Sequence, residues 1–136
     1  MKKFMMVALV LVISTSAASP AFAIKQLSDQ FKKMYLTDKA TPEFKAAIEE
    51  AKCNVCHVEK ENKKKVRNYY GNAVHEALEK DKFPLAELKK TPEKFADRLN
   101  DIFKKLEEDK SGDTDKRTYS ARMKANLSPG GDKDGK

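Results

Sequence analysis

The chain is short of several things, and each shortage excludes a class of protein. It has no tryptophan and 36% charged residues among its 136, which leaves a thin polypeptide core for its size. Beyond residue 23 no segment alternates apolar and polar side chains as a half-buried strand does; apolar residues recur at helical intervals instead. Sheet architectures are thereby excluded, and an all-α fold is expected. The net charge of +7 comes without a long basic stripe interleaved with aromatics, so nucleic acid is not an expected partner. The one long apolar run, Phe4 to Ile13, is ten residues, against the roughly 20 that a transmembrane helix needs. Cysteine is scarce too: Cys53 and Cys56 are the only two, so no thiol remains for a role outside that pair.

The apolar run has another reading. Lys2 and Lys3 precede it, small and polar residues follow it, and Ala21-Phe22-Ala23 forms an A-x-A cleavage site. Together these are the parts of a secretory signal peptide over residues 1–23, with a mature chain beginning at Ile24. Removing Lys2 and Lys3 from the 28 basic residues leaves 26 against 21 acidic, a net +5 for the mature chain. The 113 residues from 24 to 136 are enough for one domain, with no membrane span after cleavage.

Helical patterns divide that domain. A first helix is expected over Gln26 to Leu36, with Leu27, Phe31, Met34 and Tyr35 on one side. Thr41-Pro42-Glu43 starts a second: Thr caps, Pro suits the first helical position, and Glu favours the positive helix end. Phe44, Ala47, Ile48, Ala51 and Val55 line its apolar face. A lysine-rich connector, Lys60 to Lys65, leads to a helix from about Asn68 to Lys80 that Phe83-Pro84 closes. Thr91-Pro92-Glu93 repeats the start signal and opens the most strongly patterned helix, with Phe95, Leu99, Ile102, Phe103 and Leu106 on one face and Ser111-Gly112-Asp113 at its end. A last short helix is expected between Asp115 and Asn126. Residues 24–127 form the domain, and 128–136, SPGGDKDGK, have the composition of a disordered tail.

The second helix runs into Cys53-Asn54-Val55-Cys56-His57. C-x-x-C-H is the attachment motif of c-type haem. Two thiols three positions apart reach the two vinyl groups on one porphyrin edge as thioethers, and the adjacent imidazole binds iron as the proximal ligand. Two rival readings use the same residues. Dithiol redox pairs start a helix after a strand, where the helix N-terminus stabilises a thiolate, whereas Cys53 and Cys56 come at a helix end with no strand before it. Zinc would draw on Cys53, Cys56, His57 and His75, but adjacent Cys56 and His57 serve one tetrahedral ion awkwardly.

The motif and the helix before it resemble small bacterial monohaem c-type cytochromes of class I, specifically over Cys53–His57 and loosely from Pro42 to Leu106. The resemblance implies a helical domain wrapped around one covalent haem c, with thioethers at Cys53 and Cys56 and His57 as proximal iron ligand. It further implies that the helix leading into the motif packs across a later helix. Maturation would take place outside the cytoplasm, so the protein is expected to be periplasmic or secreted, shuttling single electrons between redox partners. Lys52, Lys60, Lys63, Lys64 and Lys65 would orient an acidic partner, diluted by Glu59 and Glu61.

The chain departs from the family at the sixth iron position. Met123 lies 66 positions beyond His57, a suitable spacing, but only thirteen residues follow it and no terminal helix can form there. A methionine beside Tyr119 also reads as ordinary core. His75, the only other histidine, is a competent ligand type, yet it sits off the Tyr70-Val74-Ala77 stripe among Asn72, Glu76 and Glu79. Met34 is a weaker candidate. The remaining alternative is an open site, which turns the expectation from an electron carrier to a haem enzyme of peroxidase type or a gas-binding sensor. His75, Arg67, Arg98 and Arg122 are then available as distal groups.

Overall fold

In the second helix the Thr41 hydroxyl accepts the Phe44 amide hydrogen at 3.2 Å and Pro42 occupies the first position. Local capping chemistry thus starts the helix where the sequence predicts. The structure, a computed structural model, describes residues 24–58, 66–112 and 116–131; residues 1–23, where a signal peptide is expected, the connector Lys60 to Lys65, and residues 59, 113–115 and 132–136 lie outside the described residues. The described residues form helices α1 (Lys25–Tyr35), α2 (Pro42–Ala51), α3 (Tyr69–Lys80), α4 (Leu85–Leu88), α5 (Ala96–Leu106) and α6 (Tyr119–Lys124). Short 3-10 turns follow α2 (Lys52–Val55) and precede α5 (Pro92–Phe95). Among the described residues extended pairing is limited to two isolated bridges, His57 with Arg67 and Lys110 with Thr118. The fold is all-α.

The amphipathic face of α5 organises the core. Leu99, Ile102, Phe103 and Leu106 are all buried, and α5 packs against α1 and α3. Two hydrogen bonds fix α1 on that face, from Gln30 Nε2 to Asn100 Oδ1 and from the Tyr35 hydroxyl to Glu107 Oε1, both at 2.9 Å. Phe31 is the aromatic hub, with ring centroids of Tyr35, Tyr70 and Phe103 at 4.7, 5.8 and 5.9 Å. Tyr70 in turn meets Tyr119 edge-on at 5.0 Å. The thinness expected of the core is therefore relieved by clustered aromatics, whose edge-to-face contacts add to their buried area.

Several local expectations are corrected. The main partners of α5 are α1 and α3 rather than α2, the helix that leads into the motif. Thr91 does not cap: its hydroxyl points back to the Glu87 carbonyl at 3.4 Å, and Pro92–Phe95 forms a 3-10 turn before α5 begins at Ala96. The short α4, whose Leu88 is fully buried, has too few residues to show a period. The last helix is shorter than expected and starts at Tyr119, capped by Thr118 onto the Ala121 amide.

The largest correction concerns the chain end. Ser128, Pro129 and Gly130 are buried rather than part of a disordered tail. The buried Arg122 guanidinium donates through Nε to the Ser128 carbonyl at 2.9 Å, and the Leu127 amide donates to the Arg122 carbonyl. Composition misleads here because SPGG is polar and turn-rich, whereas a proline ring and glycine backbones also fill a tight crevice well.

Candidate haem-attachment site

The motif turns away from α2 at Lys52, whose φ of 48° ends the helix. Cys53, Asn54 and Val55 then complete a 3-10 turn, in which the Cys53 carbonyl accepts the amides of both Cys56 (3.2 Å) and His57 (3.0 Å). Val55 is buried in the core and anchors the turn. Cys53 is exposed, Cys56 is partly buried, and both thiols are free, with no disulfide between them. Burial pushes the Cys56 thiol up to about 12; the neighbouring Cys53 adds to this and Arg67 opposes it. A pair beyond the C-terminal end of a helix, one member held as a neutral thiol, is the reverse of the arrangement that makes a reactive dithiol.

His57 is 8% exposed. Its Nδ1 lies 3.1 Å from the Val66 carbonyl oxygen, which accepts a hydrogen bond from that nitrogen in the tautomer protonated at Nδ1. The ring makes no other hydrogen bond to the described residues. A backbone carbonyl on Nδ1 is the outer-shell arrangement that orients a metal-ligating imidazole and leaves Nε2 with its lone pair. The carbonyl is brought there by the His57–Arg67 bridge, in which the Val58 amide also donates to Val66 at 3.2 Å.

Asn68 joins the motif to α3. Its Oδ1 caps the helix by accepting the Gly71 amide (2.9 Å), while Nδ2 donates to the carbonyls of Asn54 (2.9 Å) and Val55 (3.2 Å). Its own amide donates to the Cys56 carbonyl at 3.1 Å. The fully buried Tyr70 hydroxyl has no hydrogen-bond partner among the described residues, and burial, with the neighbouring Cys56 adding to it, raises its pKa well above the ordinary phenol range. Sequence reading passed over Asn68; a cap residue eleven positions after the motif was its only signal.

Each candidate sixth ligand has its own surroundings. His75 has a side chain 37% exposed and sits 3.4 Å from Glu79 across one turn of α3, the polar flank that the helical wheel predicts. Met123 is buried beside Tyr119 in the core and lines a cavity of about 420 Å³ with Tyr35, Phe44 and Glu107, none of them a motif residue. Met34 packs at the edge of the same core. Of the candidate distal groups, Arg98 is held by Asp81 (2.6 Å) above the Phe83 ring and Arg122 is buried under the chain end. Arg67 alone of these bridges to a motif residue.

The donor set suits haem c in its chemistry: two reduced thiols at i and i+3, followed by an imidazole whose Nδ1 is already engaged. It suits zinc poorly. Cys53, Cys56, His57 and His75 do not converge, and among the described residues no group of three or more His, Cys, Asp or Glu side chains is placed to hold a metal ion. No protein-family model matches the chain, and neither does any curated protein or solved structure. Among the described residues no helix is long and apolar enough to cross a membrane.

Proposed function

We propose that the protein is an exported monohaem c-type cytochrome that carries single electrons between redox partners. The observation that carries this reading is the buried His57 imidazole with Nδ1 at the Val66 carbonyl, directly after two free thiols three residues apart. Cys53 and Cys56 would hold the porphyrin by thioethers, and His57 would bind iron through Nε2. Bound in this way, haem c supplies a one-electron couple, and the protein sets its potential through ligation, burial and hydrogen bonding. The chain's own contribution is orientation: Val66 fixes the tautomer of His57, and the 3-10 turn holds both sulfur atoms on one short segment. Of the lysines expected to face an acidic partner, Lys52 is exposed beside the motif, and the others lie outside the described residues.

A second reading, a haem enzyme or gas-binding sensor with an open sixth position, is favoured by one specific observation. His75 pairs with Glu79 on the polar flank of α3, and the cavity that Met123 lines includes no motif residue, whereas the Arg67 backbone pairs with His57.

The test is maturation in an exporting bacterial host that attaches haem, followed by intact mass and absorption spectra with and without CO. A mass increment of one haem with a Soret band that survives acid–acetone extraction supports the cytochrome reading. A colourless product of polypeptide mass removes it. Rapid CO binding to the reduced protein selects the open-site reading over the carrier.

A further inference from the structure

Three consecutive motif carbonyls end on one residue. Asn68 takes Asn54 and Val55 through its side-chain Nδ2 and Cys56 through its main-chain amide, while its Oδ1 caps α3. It is buried, and the chain end closes over it: a Cβ on Gly130 would collide with Asn68 Nδ2 and with the Val55 carbonyl. We propose that Asn68 is the positioning residue of the Cys53–His57 turn, and that the buried Ser128–Gly130 strap locks its amide in place.

Satisfied hydrogen-bond valences set the shape of the turn. A 3-10 turn leaves carbonyls without helical partners, and a turn with unpaired carbonyls in a buried place reorganises to find them. Both hydrogens of one primary amide satisfy two of these carbonyls from a single rigid plane, which fixes the turn's rotation and with it where Cys53, Cys56 and His57 point. No residue of the strap needs a functional side chain. Gly130 is there because its missing Cβ lets backbone reach the amide, and Pro129 because its ring fills the crevice at no rotamer cost. The proposal rests on the haem reading for its purpose, and its test is chosen to separate the two.

Asn68→Ser isolates the positioning role, since serine is an equally good cap for α3 but cannot span to two carbonyls. Wild type and variant, matured in the same exporting host, are compared by amide hydrogen exchange. The amides of Cys56 and His57 are expected to exchange at least tenfold faster in Asn68→Ser, with those of Val74 to Leu78 in α3 within twofold of wild type. In haem-loaded protein the paramagnetically shifted His57 ring resonances move as well. Unchanged motif amides, or equal acceleration in α3, overturn the proposal. Gly130→Ala serves as the second variant, with the same selective loss expected. If neither variant folds, the proposal also falls, because it requires α3 to survive loss of the amide. Should wild type carry no haem, the cofactor reading fails, while the exchange comparison on that haem-free chain still decides the role of Asn68.

Discussion

The carbonyl oxygen of Cys56 occupies the space that a side chain on Gly71 would need. Helix α3 therefore begins in direct backbone contact with the motif turn. Both surfaces are main chain, so neither has a flexible end that can move aside. Gly71→Ala is expected to destabilise the protein by about 1–3 kcal/mol, although alanine is the better helix former. Chemical denaturation measures this, and a stabilised variant would show that α3 and the turn are not in contact.

The two Thr-Pro-Glu segments separate capping from mere sequence likeness. Thr41 accepts the Phe44 amide and also bonds Asn126 Oδ1 at 2.6 Å, whereas Thr91 offers α5 no side-chain cap. Thr41→Ala should cost about 1 kcal/mol. Thr91→Ala should stay within about 0.5 kcal/mol of wild type. Paired urea titrations compare them, and equal losses would contradict the difference between the two starts.

Met123 and His75 differ in the same way as stability determinants. Met123 is 9% exposed and packs with Tyr119, so Met123→Ala should cost about 2 kcal/mol or more by leaving a cavity. His75 sits half-exposed against Glu79, and His75→Ala should change stability by less than about 0.5 kcal/mol. Oxidised and reduced spectra of the haem-loaded variants are expected to match wild type in both cases. A change of axial coordination in either would identify that side chain as the sixth ligand.

Alkaline pH should loosen the aromatic core. Burial, with the carboxylates of Asp109 and Glu76 adding to it, raises the Tyr119 phenol from 10.0 to about 12. Burial and the hydrogen bond to Glu107 hold Tyr35 higher still. Unfolded tyrosines lose their protons first, so the stabilisation is complete below pH 10 and declines as pH rises from there through about 12. Melting temperature should be flat with respect to these groups up to about pH 9 and fall above 10, less steeply in Tyr119→Phe. An identical alkaline slope in that variant would exclude Tyr119 as a contributor.

What the sequence determined by itself was local. Thr41 before Pro42, the face formed by Leu99, Ile102, Phe103 and Leu106, and the polar flank that carries His75 are all set by interactions within one helical turn or by a 3.6-residue period. The proposed haem attachment likewise rests on five adjacent residues. Tertiary structure decided what depends on partners far along the chain. Asn68 became the clamp of the motif turn only because α3 starts against Cys56. Ser128–Gly130 became a buried strap only because the Arg122 guanidinium reaches the Ser128 carbonyl and the bare Cα of Gly130 fits closely against Asn68. Two start signals of the same three residues diverged because Thr91 follows α4 and turns back to Glu87. Hydrogen-bond partners and free volume at a distance leave no periodic trace in a sequence, so the residues that hold the motif in shape read there as no more than a helix start and a tail.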